Sequence, residues 1–148
     1  MRLLISMARA FKSIDDWVRP RMAARGLAMT EFAVLEVLHH KGPIPLGQLS
    51  ERILVTGAST NYTVNKLERR GLLCRTKLER DQRVILAELT AAGRKLIEEV
   101  FLLHVDDLRS ATSGLSTPEK KSVAILLRKL HKGATRAGKQ RVPSNSQA

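Results

Sequence analysis

One cysteine, Cys74, is all the thiol chemistry that these 148 residues carry. A lone thiol closes no internal disulfide and supplies no Cys-rich zinc site, which is the usual picture for a reduced cytosolic protein. Aromatic residues are nearly as scarce at 3%, so any core must rest on Leu, Val, Ile and Ala. Long apolar runs are missing too. The N-terminal MRLLISMARAFK meets Arg9 and Lys12 too early for a signal-peptide core and far too early to span a bilayer. A soluble, cytoplasmic chain with no membrane partner is expected. Negative charge is in deficit, with 14 Asp plus Glu against 26 Lys plus Arg and a formal net charge of +12. Such a balance attracts polyanions, nucleic acid first and an anionic membrane surface second. There is no phosphate loop, no Gly-x-Ser-x-Gly, no HExxH and no carboxylate pair in a Gly-rich loop, so an enzyme reading has no motif to rest on. His39 and His40 are adjacent while His104 and His131 are distant, which is not a metal-ligand spacing, and no metal or cofactor is expected.

What is present is helical periodicity broken once by strands. Leu4, Ala8, Phe11, Ile14 and Val18 recur at spacings of three and four, Pro20 should kink or shorten that helix, and Gly26 should stop it. MTEFAVLEVLHHKG predicts a second helix, capped by Thr30, stapled by Met29 and Val34, and ended by Gly42. PIPLGQLSERI reads as a short third helix, and ASTNYTVNKLERRG as a fourth with Thr56 as its cap and Gly71 as its stop. At Leu72 the period changes. LLCRTKL and RVILAEL are strand-like runs joined by a tip of Glu79, Arg80, Asp81, Gln82 and Arg83, a hairpin signature. Thr90 caps a long fifth helix, and Ser116-Thr117-Pro118-Glu119 opens a sixth with an apolar stripe of Val123, Leu126, Leu127 and Leu130. From Gly133 the chain is basic and rich in small residues, so 133–148 is expected to be a disordered tail.

Helices followed directly by a two-stranded hairpin form a winged helix-turn-helix, mainly α with a small β wing. At 100° per residue the fourth helix places Thr60, Thr63, Val64 and Leu67 on one side, to pack on the domain. The other side collects Ala58, Asn61, Tyr62, Asn65, Lys66 and Arg69. Asn can bond adenine bidentately, Ala or a Tyr edge can meet thymine methyls, and Lys or Arg can pair with guanine or phosphate. Ser59, near the helix start, can join free backbone N–H groups on a phosphate. Every surface helix has a polar face, and for this helix alone solvation would be the preferred reading. The basic hairpin beside it shifts the balance toward double-stranded DNA. There Arg80 and Arg83 are candidate groove probes, with Asp81 expected to orient its neighbour by an ion pair.

Four stretches, TEFAVLEVL, LGQLSERI, VTGASTNYTVNKLERRGLL and ERDQRVILAELTAAGRKL, resemble the MarR family of bacterial transcriptional regulators in order and spacing over roughly residues 8–132. The most specific piece is Asp81-x-Arg83 at the wing tip followed by Leu89, Thr90 and Gly93. The resemblance implies a single domain over 1–132, with a winged core at about 30–90 and dimerisation helices at about 1–26 and 90–132. It also implies an obligate homodimer on a pseudo-palindromic operator, acting as a repressor. Apolar faces at both chain ends independently favour burial against a second copy. Within the family the chain looks closest to the branch associated with quinone, catechol or other phenolic signals. A small aromatic or phenolic effector is then implied, with Phe11, Trp17, Arg21, Phe32 and His39 as candidate lining residues. Each of these residue types is more often core or surface than pocket. Two other readings stand beside this one: a nonspecific architectural nucleic-acid-binding protein, and a redox-responsive regulator acting through Cys74.

Overall fold

A computed structural model describes residues 1–53, 57–78 and 80–140. The helices α1 (Arg2–Ala24) and α2 (Met29–Lys41) are followed by the short strand β1 (Ile44–Pro45), then by α3 (Leu46–Ile53) and α4 (Gly57–Arg69). Strands β2 (Leu73–Leu78) and β3 (Asp81–Leu89) lead into α5 (Ala91–Ala111) and α6 (Thr117–Gln140). The expected winged helix-turn-helix is present.

The strand β1 was absent from the sequence reading. It lies antiparallel to β3, pairing Ile44 with Ala87 and Pro45 with Leu86, so the wing base is a three-stranded sheet in the order β1-β3-β2. Pro45 lacks an N–H donor and is tolerated because β1 is an edge strand. β2 and β3 pair from Leu73 opposite Leu89 out to Lys77 opposite Ile85, with a register shift just before the tip. β3 starts at Asp81 rather than Arg83, so the unpaired tip is shorter than the charge pattern suggests.

Gly26, Gly42 and Gly71 follow α1, α2 and α4 with φ of 76°, 73° and 68°, the left-handed conformation that ends a helix at little cost to glycine. Thr30 does not cap α2. The cap is Ala28, whose N–H donates to the Glu31 carboxylate at 2.7 Å, and the staple positions move to Leu27 and Phe32, both buried in the core. Pro20 does not shorten α1, which runs through it to Ala24. The carbonyl left unpaired belongs to the exposed Asp16, where water can satisfy it. The Thr56 cap expected for α4 lies outside the described residues.

Within the first five helices and the sheet there is one core. Met22 of α1, Leu35 and Leu38 of α2, Leu49 of α3, Val64 and Leu67 of α4, Leu73 and Ala87 of the sheet and Ile97 of α5 are fully buried. Each large aliphatic there contributes roughly 1.5–3 kcal/mol by leaving water. The α4–β2 turn is locked to the start of α5. Thr90 donates its hydroxyl to the Gly71 carbonyl at 2.6 Å and accepts the Gly93 N–H at 3.1 Å, while its own N–H reaches the Leu72 carbonyl at 3.2 Å. Gly93 is there because a Cβ would stand 1.8 Å from that Leu72 oxygen. The Leu89-Thr90-x-x-Gly93 motif is thus a splice between wing and helix.

By internal contacts the chain divides into Met1–Ala111 and Thr112–Ala148. In the second unit Glu119 accepts both the N–H and the hydroxyl of Ser116, at 2.7 and 2.6 Å, closing the start of α6. The tail expected from Gly133 is helical as far as Gln140. Gly133 and Gly138 are isolated among helix-tolerant residues, and the Thr135 hydroxyl bonds the His131 carbonyl one turn back at 2.9 Å. The remainder of that tail, 141–148, is outside the described residues.

Candidate nucleic-acid interface

The sequence period of α4 translates directly into burial. Thr60, Thr63, Val64 and Leu67 are buried, and Ser59, Asn61, Tyr62, Asn65 and Arg69 are exposed on the opposite side, with Tyr62 at 67%. Thr63 satisfies its hydroxyl on the Ser59 carbonyl at 2.9 Å, which lets a polar residue sit in the core without stranding a donor. Arg80, Asp81 and Arg83 are exposed on the wing. Asp81 accepts the Arg83 backbone N–H at 3.0 Å, a local turn contact that orients its neighbour through the backbone rather than by the expected ion pair with an arginine beside it. Glu79 lies outside the described residues.

Several of the expected DNA-facing side chains are already engaged, Arg69 among them through a 3.3 Å bond from its Nε to the Asn65 carbonyl one turn back. Lys66 is half-buried with its ammonium 3.2 Å from the Glu31 carboxylate. Arg70 donates to the same carboxylate at 3.1 Å and to the Gly26 carbonyl at 3.0 Å. Glu31, its side chain only 3% exposed, therefore ties the start of α2 to the end of α4. Burial alone would raise its pKa, but the Ala28 N–H, then Lys66 and Arg70, outweigh that and hold the carboxyl below its ordinary value. Asn65 is engaged through its side chain as well. Arg75, on β2, donates from one arm to the Asn65 Oδ1 at 2.6 Å and from the other to the Glu68 carboxylate. The wing base is thereby pinned to α4. Sequence reading missed the roles of Glu31, Glu68 and Arg70, and its single local hint was Glu31 at the third helical position.

A cavity of about 350 Å³ lies between α1, α2 and α5. Phe11, Ile14, Val18, Met29 and Leu108 give it an apolar wall, and His104 contributes an imidazole whose Nδ1 is buried without a hydrogen-bond partner among the described residues. Burial first, and the nearby Arg25 guanidinium, push the His104 pKa down despite Glu36 and Asp107, so the ring is neutral at pH 7. Of the five candidate effector residues only Phe11 lines this cavity. Phe32 is a core residue packed on His104 with ring centroids 4.5 Å apart. Trp17 carries the Arg21 guanidinium 3.5 Å over its ring, and Arg21 also faces Asp107 at 3.5 Å. His39 packs edge-on against His40 at 5.1 Å. Cys74 is half-buried opposite Glu88 in the β2–β3 ladder. Among the described residues no His, Cys, Asp and Glu side chains cluster in a way that could hold a metal ion, and no helix is long and apolar enough to cross a membrane.

A sequence model of the MarR family matches residues 27–85, from just before α2 to the middle of β3. The HTH-type transcriptional regulator MhqR of Bacillus subtilis (strain 168) is 37% identical over 130 residues, covering 88% of this chain and 90% of that one. The chain belongs to the MarR family. Sco3205, a MarR family transcriptional regulator from Streptomyces coelicolor solved in complex with DNA, superposes with a TM-score of 0.82 at 21% identity, over 88% of this chain and 84% of that one. BpsR of Bordetella bronchiseptica, whose DNA binding is regulated by 6-hydroxynicotinic acid, gives 0.80 at 24% identity over 88% and 99%. These two likenesses establish the MarR fold. MarR-family proteins are DNA-binding transcriptional regulators and not enzymes, which accounts for the basic balance and the missing catalytic motifs.

Proposed function

We propose that the chain is a cytoplasmic homodimeric repressor that binds a pseudo-palindromic operator through α4 and the wing and is released by a small aromatic or phenolic effector. The observation that carries this reading is the polar face of α4, exposed beside a basic wing on one rigid core. Ser59, Asn61, Tyr62, Asn65 and Arg69 meet bases and the flanking phosphates from α4, and Arg80 and Arg83 reach the backbone or minor groove from the wing. Lys66, drawn toward Glu31, serves chiefly to hold α4 in place. Dimerisation is supported by exposed apolar side chains on the first half of α1 and, taken by itself, on α6. A two-fold dimer sets two recognition helices about one turn of DNA apart, so the operator should be an inverted repeat.

The effector part rests on the cavity, whose apolar wall and unpaired His104 Nδ1 suit an aromatic ring bearing a hydroxyl or carboxyl group. BpsR is regulated by such a molecule. A ligand that prefers the DNA-incompetent arrangement must in turn be weakened by DNA. The test is selection from a pool of random duplexes at two salt concentrations, with sequencing of the bound fraction. One inverted repeat persisting at the higher salt is the expected result. Bound DNA with no shared motif would instead make this a nonspecific architectural protein held by charge.

A further inference from the structure

We propose that Arg75 is a specificity-positioning residue: it fixes the Asn65 amide with its NH₂ group outward, so that the base Asn65 meets is selected as guanine over adenine. The proposal rests on reading α4 as the recognition helix and deepens that reading at one side chain.

Arg75 sits inside the β2–β3 ladder, opposite Ala87, so its backbone is held in register by pairing with β3. Its guanidinium forks onto two residues three apart on α4, with Nη1 on the Glu68 carboxylate and Nη2 2.6 Å from the Asn65 Oδ1. A guanidinium has only donors, so the end of the amide that faces it must be the carbonyl oxygen. Glu68 occupies the other arm, and the planar fork cannot turn without breaking an ion pair. The amide is therefore oriented before any DNA arrives.

That orientation has a consequence for base recognition. An unconstrained Asn matches adenine by donating to N7 and accepting from N6, which needs both ends of the amide at the base edge. With Oδ1 turned to Arg75, Asn65 offers mainly N–H donors. Guanine presents two acceptors, N7 and O6, where adenine presents an acceptor and a donor. The outward NH₂ therefore favours guanine.

The experiment compares full-length wild type, Asn65→Ala and Arg75→Met in selection from random duplexes. The position Asn65 reads is the one at which Asn65→Ala loses its preference. Wild type should prefer guanine there, and Arg75→Met, which frees the amide to turn, should raise the adenine-to-guanine ratio at that position about tenfold while leaving the rest of the motif in place. A purely structural role for Arg75 would weaken all positions alike and would not produce this switch. Adenine preferred by wild type at that position, an Arg75→Met motif identical to wild type, or an Asn65→Ala motif identical to wild type overturns the proposal. Absence of any motif from wild type removes the recognition-helix reading itself, a distinguishable failure. If circular dichroism shows Arg75→Met unfolded, Arg75→Lys replaces it. One ammonium cannot hold Glu68 and Asn65 together in the fork geometry, and a shift toward adenine is again expected, with an unchanged motif counting against the proposal.

Discussion

Helix α4 and the first half of α1 are similar in length and both amphipathic, yet they treat their apolar residues in opposite ways. α4 buries Thr60, Thr63, Val64 and Leu67 within its own chain, whereas α1 leaves Leu3, Leu4, Ile5 and Phe11 exposed. Taken alone, α6 repeats the α1 pattern, with Ile125 and Leu126 at 57% and 63% exposure. The winged core is finished by intramolecular packing and ion pairs. The terminal helices present apolar surface of the kind that marks an interface.

The sharpest way to break that contrast is to damage the winged core. Gly93→Ala puts a methyl group against the Leu72 backbone carbonyl, which cannot swing aside, and should cost at least about 4 kcal/mol in urea unfolding. A wild-type midpoint would mean that the splice is not tight. Next in size are Leu4→Asp and Leu126→Asp. Each should cost the proposed dimer at least about 3 kcal/mol by burying an unpaired charge and halve the mass seen in sedimentation, with the amides of α4 still protected from exchange. Retained dimer mass in both would move the interface elsewhere.

Glu31→Gln is a smaller perturbation, about 1–2 kcal/mol at pH 7, because its partners Lys66 and Arg70 are partly solvated. The sign of its pH dependence follows from a folded-state pKa below the ordinary 4.5. Wild type keeps the full contribution above that value and loses it as pH falls through the lowered folded-state pKa. Glu31→Gln should therefore flatten the acid limb of the stability profile; identical limbs would remove Glu31 as the tie between α2 and α4. The smallest effect is expected of Arg83→Ala, which should weaken operator binding and reduce the magnitude of the salt slope by about 2 for the two copies in a dimer. An unchanged slope would take Arg83 off the phosphates.

Local periodicity was enough to read the helices, the wing and the burial of α4, because those depend on neighbours three and four residues apart. Partners far along the chain were not readable. Glu31 meets Arg70 39 residues away, and β1 is a strand only because β3 pairs with it. Ala28 replaces Thr30 as the cap of α2 because Glu31 reaches back to its N–H, a contact that Ala28 itself does not advertise. Composition was a poor guide to the cavity. The residue types suggest aromatics, whereas the wall is mostly aliphatic, and His104, which lines it along with Asp15, Arg19 and Thr30, belongs to a helix face that reads as ordinary core.

The proposed dimer on an inverted repeat is tested most directly by spacing. Binding should be measured on the selected operator and on the same duplex with five base pairs inserted between its half-sites. Half a helical turn rotates one half-site to the far side of the DNA, so affinity should fall to that of a single half-site. Equal affinity for the two duplexes would contradict a rigid two-fold pair of recognition helices.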